Sequence, residues 1–441
     1  MREKNLPSGR VQRLWQLGRL AGGVAVGAVG AGLRQRGRGE GVAQLLLTPD
    51  NLVRIRDRLS EMRGAAMKVG QLLSMESGEL LPAELTALFD QLREEAHFLP
   101  LGEVARELDL AWGKGWDRDF RQFNFTPVAA ASIGQVHQAT TRDGRNLALK
   151  LQYPGVRKSI DSDIDNVAML LRWSGLLPAG LDVGPLMAEA KEQLHRETDY
   201  LAEAGMLQRF AALLENDERV RVPGVATDYC AENVLAMDYL QGEPIEVLLE
   251  QPRGERNRVA GVLLELALRE VFEWRLVQTD PNFANFRYDR AQRSVHLLDF
   301  GATREYSEAR QSGLLQLLQA GLCQDRGALL EAAVQVGYLH PGAPAAHADG
   351  VAELLLAALE PLAQQEYDFA GSDLAKRMSE RVIRLRSEEQ FMLLPPPDVL
   401  FLHRKLAGLY LLFHRLRATL PVRHLAEAVL ETAIPAAQDA V

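Results

Sequence analysis

The spacing of apolar residues divides the chain into helical and strand-like stretches. Between about Val42 and Leu110 apolar positions recur every three or four residues, as at Leu52 and Ile55, which predicts helices. Pro82, with an acidic residue two positions later, is typical of a helix start. A second helical stretch, broken near residues 178–184, is predicted from about residue 160 to residue 214.

After Trp116 the pattern changes to short runs of β-forming residues separated by turn residues, which predicts strands. Three runs should form one small sheet, a later pair should form together, and a last pair is separated by a turn. The chain beyond Gly242 is otherwise helical in pattern. In chain order the predicted strands are Phe123–Phe125, Ile133–His137, Leu147–Leu151, Val220–Val225, Val234–Tyr239, Phe286–Tyr288 and Val295–Leu298.

Composition limits the class of protein. The 441 residues are 47% hydrophobic and 25% charged, which indicates a packed core and argues against disorder. Two distant cysteines, Cys230 and Cys323, argue against a disulfide framework or a cysteine-rich zinc site and favour a reducing compartment. The net charge of -9 argues against nucleic acid as a partner, since phosphate neutralisation requires an excess of basic residues.

The charge is unevenly distributed, because the first 40 residues contain eight basic and two acidic residues. They flank the uncharged Gly/Ala/Val segment Leu20–Leu33, which is shorter than the roughly 20 residues of a membrane-spanning helix. A cleaved signal peptide is disfavoured, whereas a disordered arm and a membrane-contacting segment both fit. The small-residue spacing that suits helix packing in lipid is provided by Gly22, Gly23, Gly27, Gly30 and Gly32.

Further along, residues that handle phosphate occur in the order that kinases use. A kinase needs a small-residue loop over the phosphates, a strand lysine with an acidic partner, a D-x-x-x-x-N catalytic loop and a metal-binding Asp before Gly. Lys150, in the strand-like LALK, provides the lysine. The order of the parts is the evidence, since each alone is weak. The candidate loop consists of Ala129, Ala130, Ala131, Ser132 and Gly134.

The acidic partner of Lys150 has two candidates on what is predicted to be one helix. On such a helix Asp199 and Glu203 would share a face, while Glu197 would point about 120° away from Glu203. We favour Glu203 as the partner of Lys150, with Glu197 as the competing choice. All three acids are placed in the nucleotide site.

The catalytic and metal-binding acids follow in QTDPNFANF and LLDFG. Asp280 and Asn285 have the D-x-x-x-x-N spacing, and Asp299 follows a predicted strand. Lys150 would hold the α and β phosphates, and Asn285 and Asp299 would ligate Mg²⁺, a cation that prefers oxygen ligands. Asp280 would orient or deprotonate the acceptor.

At these residues the chain resembles the UbiB-type atypical protein-kinase-like family, in the branch of the coenzyme Q (ubiquinone) biosynthesis kinases. The resemblance runs from about Val42 onward. It is carried by Lys68-Val69-Gly70-Gln71 (K-x-G-Q), by the alanine-rich AAASIGQVH, by Glu197-Thr198-Asp199 (E-x-D), and by QTDPNFANF with LLDFGATREY.

The resemblance implies an α+β, bilobal kinase-like fold with a helical N-terminal extension and a mostly helical C-terminal lobe. The K-x-G-Q helix would cover the peptide-substrate site, with Lys68 and Gln71 directed at the nucleotide pocket. It further implies Mg²⁺-dependent binding of ATP/ADP, an ATPase stimulated by membrane lipid and phenolic quinone precursors, and support of ubiquinone biosynthesis. Alanines in place of loop glycines fit an altered nucleotide preference.

Two departures matter. Some bacterial members of the family end in two C-terminal hydrophobic spans. Here the last apolar stretch, Leu400–Leu416, cannot be a simple membrane span, because it contains His403, Arg404, Lys405, His414 and Arg415. Gln278-Thr279 replaces the His-Arg that precedes the catalytic Asp of protein kinases, which argues against ordinary phosphotransfer to hydroxyl acceptors.

The Gly-rich segment occupies the position of a G-x-x-x-G membrane segment in the mitochondrial branch, which favours membrane contact there.

The leading hypothesis is a membrane-associated ATPase that extracts or presents quinone precursors. The alternatives are a kinase for a small molecule or lipid, and a nucleotide-regulated scaffold of biosynthetic enzymes. The expected partners are anionic lipid, quinone-precursor lipid, ubiquinone biosynthesis enzymes and a possible second copy of the chain. The expected location is the cytoplasmic side of the bacterial inner membrane, or the matrix face in a mitochondrion. The expected domains are a membrane arm (1–40), a K-x-G-Q extension (41–115), an N-lobe (116–241) and a C-lobe (242–441).

Overall fold

A computed structural model of the chain describes residues 59, 62–77, 98–174, 184–280, 282–387 and 395–433. The Gly-rich segment 20–33 and the helix start predicted at Pro82 lie outside these residues. The chain forms two compact units. The first unit contains residues up to Gln208 together with Gly224–Tyr239, and the second contains Arg209–Pro223 and the chain from Leu240 onward.

The first unit is built on an antiparallel sheet in which the order of the main strands is β1, β3, β4, β6, with the short β2 added on β3. The central strand β4 is buried along almost its whole length, as expected for a strand with neighbours on both sides. The strands are β1 Phe120–Phe123, β2 Ala129–Ala130, β3 Gly134–Thr141, β4 Asn146–Gln152 and β6 Val234–Asp238.

Helices cover this sheet and carry part of the site. Helix α2 buries Val104 and Leu108 in the same core as Trp116 and Phe120. Helix α1 packs against α3 and α4. The helices are α1 Arg63–Ser77, α2 Leu101–Trp112, α3 Val156–Ser174, α4 Gly184–Glu197 and α5 Tyr200–Leu213, whose last residues belong to the second unit.

The second unit combines short sheets with helices. Strand β10 lies between β5 and β9, β9 also pairs with β7, β8 pairs with β11, and β12 pairs with β13. The strands are β5 Val220–Arg221, β7 Glu243–Pro244, β8 Leu276–Gln278, β9 Phe286–Asp289, β10 Ser294–Leu297, β11 Thr303–Glu305, β12 Tyr367–Asp368 and β13 Thr419–Leu420. The helices are α6 Arg253–Phe272, α7 Glu308–Cys323, α8 Arg326–Val336, α9 Ala345–Ala358, α10 Leu374–Ser387, α11 Pro397–Arg415 and α12 Val422–Ala433.

Helix α6 is the centre of the second unit, because it packs against α7, α11, α12 and β8. It buries residues around most of its circumference, including Val259, Leu263 and Phe272. Helix α11 contains most of the charged apolar stretch 400–416. Within the described part of the chain, no helix combines the length and the apolar character needed to cross a bilayer.

The chain beyond Gly242 is predicted to be helical apart from two strands, but it also forms the short strands β7, β8, β11, β12 and β13, which at two or three residues each are too short to give a hydrophobic pattern. Three further predicted elements differ from the structure, and side-chain hydrogen bonds or proline explain each difference. The strand predicted at Phe123–Phe125 lies instead at Phe120–Phe123. It ends at Phe123 because the side chain of Asn124 accepts a hydrogen bond from the Thr126 amide (3.0 Å) and turns the chain. The predicted strand Val220–Val225 does not pair as a whole with the predicted strand Val234–Tyr239. Pro223 interrupts it, Val220–Arg221 pairs in parallel with β10, and Val225 makes only an isolated bridge to Met237.

The third difference concerns the acids. Glu197, Asp199 and Glu203 were expected on one helix, but α4 ends at Glu197 and α5 begins at Tyr200. The Asp199 carboxylate accepts a hydrogen bond from the Ala202 amide (3.0 Å), which is the bond of an N-cap residue. Asp199 therefore starts a new helix, and the prediction that it shares a helix face with Glu203 is wrong.

A buried polar chain joins β3 to its surroundings. The Leu99 amide donates to Gln135 Oε1 (2.9 Å), Gln135 Nε2 donates to His137 Nε2 (2.7 Å), and His137 Nδ1 donates to the Asn124 carbonyl (2.9 Å). This arrangement requires a neutral imidazole. Burial lowers the pKa of His137 accordingly.

We predict that His137 makes the fold sensitive to mild acid. Because its folded-state pKa lies below the unfolded value near 6.5, the unfolded chain binds the proton first, and stability falls as the pH drops below about 6.5. His137→Leu should lower the free energy of unfolding at pH 7.5 by about 2 kcal/mol, since it leaves partners of the imidazole unsatisfied. The variant should also lose less of its free energy of unfolding than the wild type between pH 7.5 and 5.5. Urea unfolding at both pH values measures this, and parallel pH curves for the two proteins would contradict the assignment.

Candidate nucleotide site

Lys150 lies at the centre of the first unit's sheet, opposite Val136 on β3 and Leu235 on β6. Its ammonium donates to both carboxylate oxygens of Glu203, at 2.9 and 3.0 Å. Lys150 is 7% exposed and Glu203 is 2% exposed, so this ion pair is buried. Glu203 stands in the first turn of α5, where the helix dipole favours a carboxylate. The pair thus fixes a lysine charge in the middle of the sheet.

The competing acid, Glu197, has other partners. One carboxylate oxygen forms an ion pair with Lys68 of α1, and the other accepts a hydrogen bond from Ser132 Oγ (3.1 Å). Lys68 is itself 4% exposed. Glu197 therefore ties the K-x-G-Q helix to the alanine-rich loop. The side chain of Gln71 lies outside the described set, and Asp199 acts as the cap of α5.

The alanine-rich loop is held by strand pairing, a backbone hydrogen bond and close packing. Ala129 and Ala130 form β2 on β3, and the Ala131 amide donates to the Gly134 carbonyl (2.9 Å). A Cβ atom on Gly134 would lie 2.2 Å from the Leu151 carbonyl oxygen. Helix α1 also approaches this loop, since a Cβ on Gly64 would lie 3.0 Å from the Ser132 carbonyl oxygen. Close backbone packing therefore holds the loop in place.

In the second unit, Asp280 and Asp299 each follow a strand by two residues, β8 and β10 respectively. Asn285 Nδ2 donates to Asp280 Oδ2 (2.9 Å). Asp299 Oδ1 accepts from the Gly301 amide (3.0 Å). Asn285 and Asp299 line one small cavity, of about 20 Å³, in this unit. A volume of this size suits a single water molecule.

Two residues at that cavity, Asn285 and Asp299, have donor groups that fit Mg²⁺, while the rest of its lining is mostly apolar and includes Lys405. A carboxylate and an amide oxygen are hard ligands, and Mg²⁺ usually takes one or two protein carboxylates together with waters and substrate phosphates. No group of three or more His, Cys, Asp or Glu side chains suited to a metal occurs in the described ranges, so a metal cage made entirely by protein acids is not formed there. Asn285 and Asp299 would hold the ion, whose role is to neutralise phosphate charge.

Four further residues of the second unit surround these acids, and sequence reasoning did not place them in the site. Arg404 donates to Asp280 Oδ1 (2.7 Å). Lys405 forms a buried ion pair with Glu270, and the Gln278 side-chain amide donates to the carbonyls of Asp280 and Asp299, at 3.0 and 3.2 Å. Burial raises the pKa of Glu270 and lowers the pKa of Lys405, while their pairing opposes both shifts. The available signal was the set of charged residues within the apolar stretch 400–416.

Comparison with known proteins identifies the family. The model of the ABC1 atypical kinase-like domain matches residues 91–333, which is more than half of the chain. The chain belongs to the ABC1 atypical kinase-like family. The match includes Lys150, both candidate acids, Asp280, Asn285 and Asp299, whereas the K-x-G-Q helix and α11 lie outside it.

Curated relatives extend the ABC1 match to nearly the whole chain. The mitochondrial atypical kinase COQ8 of Saccharomyces cerevisiae is 34% identical over 425 residues, covering 95% of this chain and 84% of the relative. COQ8B of Rattus norvegicus is 36% identical over 436 residues, covering 96% and 81%. The atypical kinase coq-8 of Caenorhabditis elegans is 35% identical over 429 residues, where the match covers 95% of this chain but 57% of the relative.

A solved structure supports the fold. The complex of Rv3197 with erythromycin from Mycobacterium tuberculosis aligns with a TM-score of 0.59 and 26% identity, covering 86% of this chain and 95% of that chain. The predicted α+β, bilobal kinase-like fold and the predicted membership of the UbiB-type, coenzyme Q branch are confirmed. The roles of individual site residues stay predictions.

We predict that Gly134→Ala destabilises the ABC1 domain. The added Cβ would overlap the backbone of Leu151, so β4 next to Lys150 must shift, at a cost of about 1–3 kcal/mol. Gly205→Ala in α5 is the matched control, because a Cβ there meets nothing within 4 Å and alanine favours a helix by about 0.5–1 kcal/mol. Thermal unfolding compares the two, and equal midpoints would contradict the close packing at Gly134.

A second prediction concerns the buried Lys150–Glu203 pair. Glu203→Leu alone should destabilise by about 3–5 kcal/mol, because it leaves an uncompensated buried ammonium. Lys150→Met combined with Glu203→Leu should recover most of the loss, since apolar side chains of similar volume fill the space. Denaturant unfolding of the single and double variants measures the coupling. The exposed Arg145–Asp228 pair of the same unit is the control, where Asp228→Asn should cost little. A double variant as unstable as the sum of the singles would contradict the prediction.

Proposed function

We propose that this protein is a Mg²⁺-dependent, kinase-like ATPase that supports ubiquinone biosynthesis at a membrane, by extracting or presenting lipid quinone precursors. The observation that carries the proposal is that the two acids, Glu203 and Glu197, pair with different lysines. Glu203 holds the lysine suited to nucleotide phosphates, while Glu197 is engaged by the K-x-G-Q lysine, Lys68. The chain therefore has the phosphate-handling residues of a kinase, with an additional helix tied to them.

The proposed roles follow from charge. Lys150, oriented by Glu203, binds the α and β phosphates of ATP. Asn285 and Asp299 would hold the metal ion that neutralises the phosphates, and the alanine-rich loop 129–134 is the proposed phosphate loop. Asp280 orients the attacking oxygen. ADP is the nucleotide product.

Water is the acceptor that best fits the surroundings of Asp280. Both of its carboxylate oxygens accept hydrogen bonds, one from Arg404 and one from Asn285, so it is better suited to orienting a small nucleophile than to removing a proton from one. In this reaction the water oxygen bonds to the γ-phosphorus, the bond to the β–γ bridging oxygen breaks, and ADP, phosphate and a proton leave. Phosphotransfer to protein is not part of the proposal.

The membrane and quinone parts of the proposal come from relatives and sequence. The three relatives described above are named COQ8 atypical kinases and are mitochondrial. The excess of basic residues in the first 40 positions suits anionic lipid headgroups. We propose the membrane arm at 1–40, the K-x-G-Q extension at 41–115 and the lobes at 116–241 and 242–441. Biosynthetic enzymes and a second copy of the chain are proposed partners on the inner-membrane or matrix face.

We predict that anionic liposomes containing a phenolic quinone-precursor analogue stimulate ATP hydrolysis by the purified full chain. Asp299→Asn should reduce the stimulated rate by at least about 100-fold, since it removes a charged metal ligand. Asp349→Asn is the matched control, because Asp349 is an exposed acid of the same unit that pairs only with surface Arg326 among the contacts described. Released phosphate measured with and without liposomes gives the result.

Two other results would replace this proposal. A phosphorylated lipid or small molecule, formed from labelled ATP in a membrane extract and abolished by Asp280→Asn, would indicate a kinase. Restored ubiquinone synthesis by Asp280→Asn in a deletion strain, together with failure of Lys150→Ala, would indicate a nucleotide-regulated scaffold. Hydrolysis equal to that of Asp299→Asn under all lipid conditions would overturn the ATPase.

A further inference from the structure

Two consecutive residues of α11, Arg404 and Lys405, reach the loops that carry Asp280 and Asp299. Both belong to the second unit, as do all their contacts described below. Arg404 is bonded to Asp280 Oδ1 at 2.7 Å, with side-chain exposures of 8% and 20%. Asn285 donates to the other oxygen of the same carboxylate. Asp280 is therefore held at two points, one of them 124 positions away along the chain.

Lys405 acts on the backbone of the same loop. Its ammonium forms the buried ion pair with Glu270 of α6 and donates to the Gln278 carbonyl (3.0 Å). The Glu270 carboxylate accepts a hydrogen bond from the backbone amide of Gln278 (2.8 Å). The pair therefore satisfies both backbone groups of Gln278, the last residue of β8.

The side chain of Gln278 contacts both loops. Its side-chain amide donates to the Asp280 carbonyl (3.0 Å) and to the Asp299 carbonyl (3.2 Å). The loop after β8 and the loop after β10 are thus joined by one side chain, whose own backbone is held by α6 and α11. Gln278, Glu270 and Lys405 also line the cavity shared by Asn285 and Asp299.

Stability alone does not account for these charges. A buried ion pair costs desolvation energy, and replacing it with apolar residues of similar volume is often neutral or stabilising. The rest of the buried face of α11 is apolar, with Val399, Phe401, Leu409 and Leu412. Leucine at 404 or 405 would continue that face. What an apolar residue could not do is fix the direction of a carboxylate and of two loop carbonyls.

We propose that Arg404 and Lys405 are positioning residues of the active centre, which makes α11 part of the catalytic apparatus. Arg404 sets the direction of the Asp280 carboxylate. Lys405, through Glu270 and Gln278, sets the separation of the Asp280 and Asp299 loops. Errors of about 1 Å in such groups can reduce a rate by about 100-fold. This inference rests on the proposed ATPase, so its test includes a readout that does not require turnover.

The first experiment measures kcat and KM for Mg·ATP in lipid-stimulated hydrolysis. Arg404→Met keeps the aliphatic stem and should lower kcat about 10- to 100-fold with KM changed less than about threefold. Arg404→Lys should recover part of the rate, and guanidinium should partly rescue Arg404→Ala. Arg326→Ala, which removes an exposed arginine of the same unit, is the control and should keep the wild-type rate. A wild-type kcat in Arg404→Met, or a loss matched by the unfolded fraction, would overturn the role of Arg404.

The second experiment tests Lys405 with a variant expected to fold. Lys405→Leu alone leaves Glu270 as an unpaired buried acid, so it is combined with Glu270→Leu, which removes both charges. Binding of a fluorescent ADP analogue is titrated with Mg²⁺. The double variant should need at least about fivefold more Mg²⁺ for half-maximal binding, because the Asp299 loop is no longer fixed. Arg326→Ala should match the wild type.

These readouts separate the two ideas. If the wild type binds ADP with Mg²⁺ but hydrolyses no ATP, the ATPase fails, and the shifted Mg²⁺ requirement still supports the positioning role. If the wild type hydrolyses ATP and the folded double variant has an unchanged Mg²⁺ requirement, the role of Lys405 is overturned while the ATPase stands.

Discussion

A lysine ammonium in the centre of a buried sheet requires a carboxylate held against it, and the first unit is arranged around this requirement. Glu203 meets Lys150 from the first turn of α5, with both carboxylate oxygens within 3.0 Å of the ammonium. On one continuous helix Glu197 and Glu203 would have a fixed angle between them. The break at Thr198-Asp199 removes that restriction. It allows Glu203 to pair with Lys150, while Glu197 pairs with Lys68 and accepts a hydrogen bond from Ser132.

The sequence predicted the central strands well and their ends poorly. The run at Leu147–Leu151 lies wholly within β4, because its buried apolar residues give a pattern visible in the sequence itself. The run at Ile133–His137 lies almost wholly within β3, although two of its buried residues, Gln135 and His137, are polar. The errors at the ends of elements fall at Asn124, Asp199 and Pro223. At the first two, one side-chain hydrogen bond ends or starts an element, and at the third a missing amide donor interrupts a strand. Hydrophobic periodicity carries no information about either.

The same division applies to the candidate site. Lys150, Asp280, Asn285 and Asp299 could be selected by motif, because their spacing is local and characteristic. Glu270, Gln278, Arg404 and Lys405 could not, because their relation is made by tertiary contacts, with Glu270 and Lys405 separated by 135 positions. The charged stretch 400–416 showed only that α11 was not a simple membrane span. What those charges contact depends on where β8 and α6 place their partners.

In both units apolar residues stabilise the fold, and buried charges orient the residues of the candidate site. The apolar cores supply the favourable burial, with Trp116, Phe120 and their neighbours in the first unit and α6 with its packing partners in the second. The buried charges bring little net stability, because desolvation offsets much of their mutual attraction. They do restrain the carboxylates, since Glu203 has both oxygens bonded to one ammonium and Asp280 has one oxygen bonded to Arg404 and the other to Asn285. We therefore expect the fold to tolerate the joint loss of a charge pair, and the orientation of the phosphate-handling residues to be lost with it.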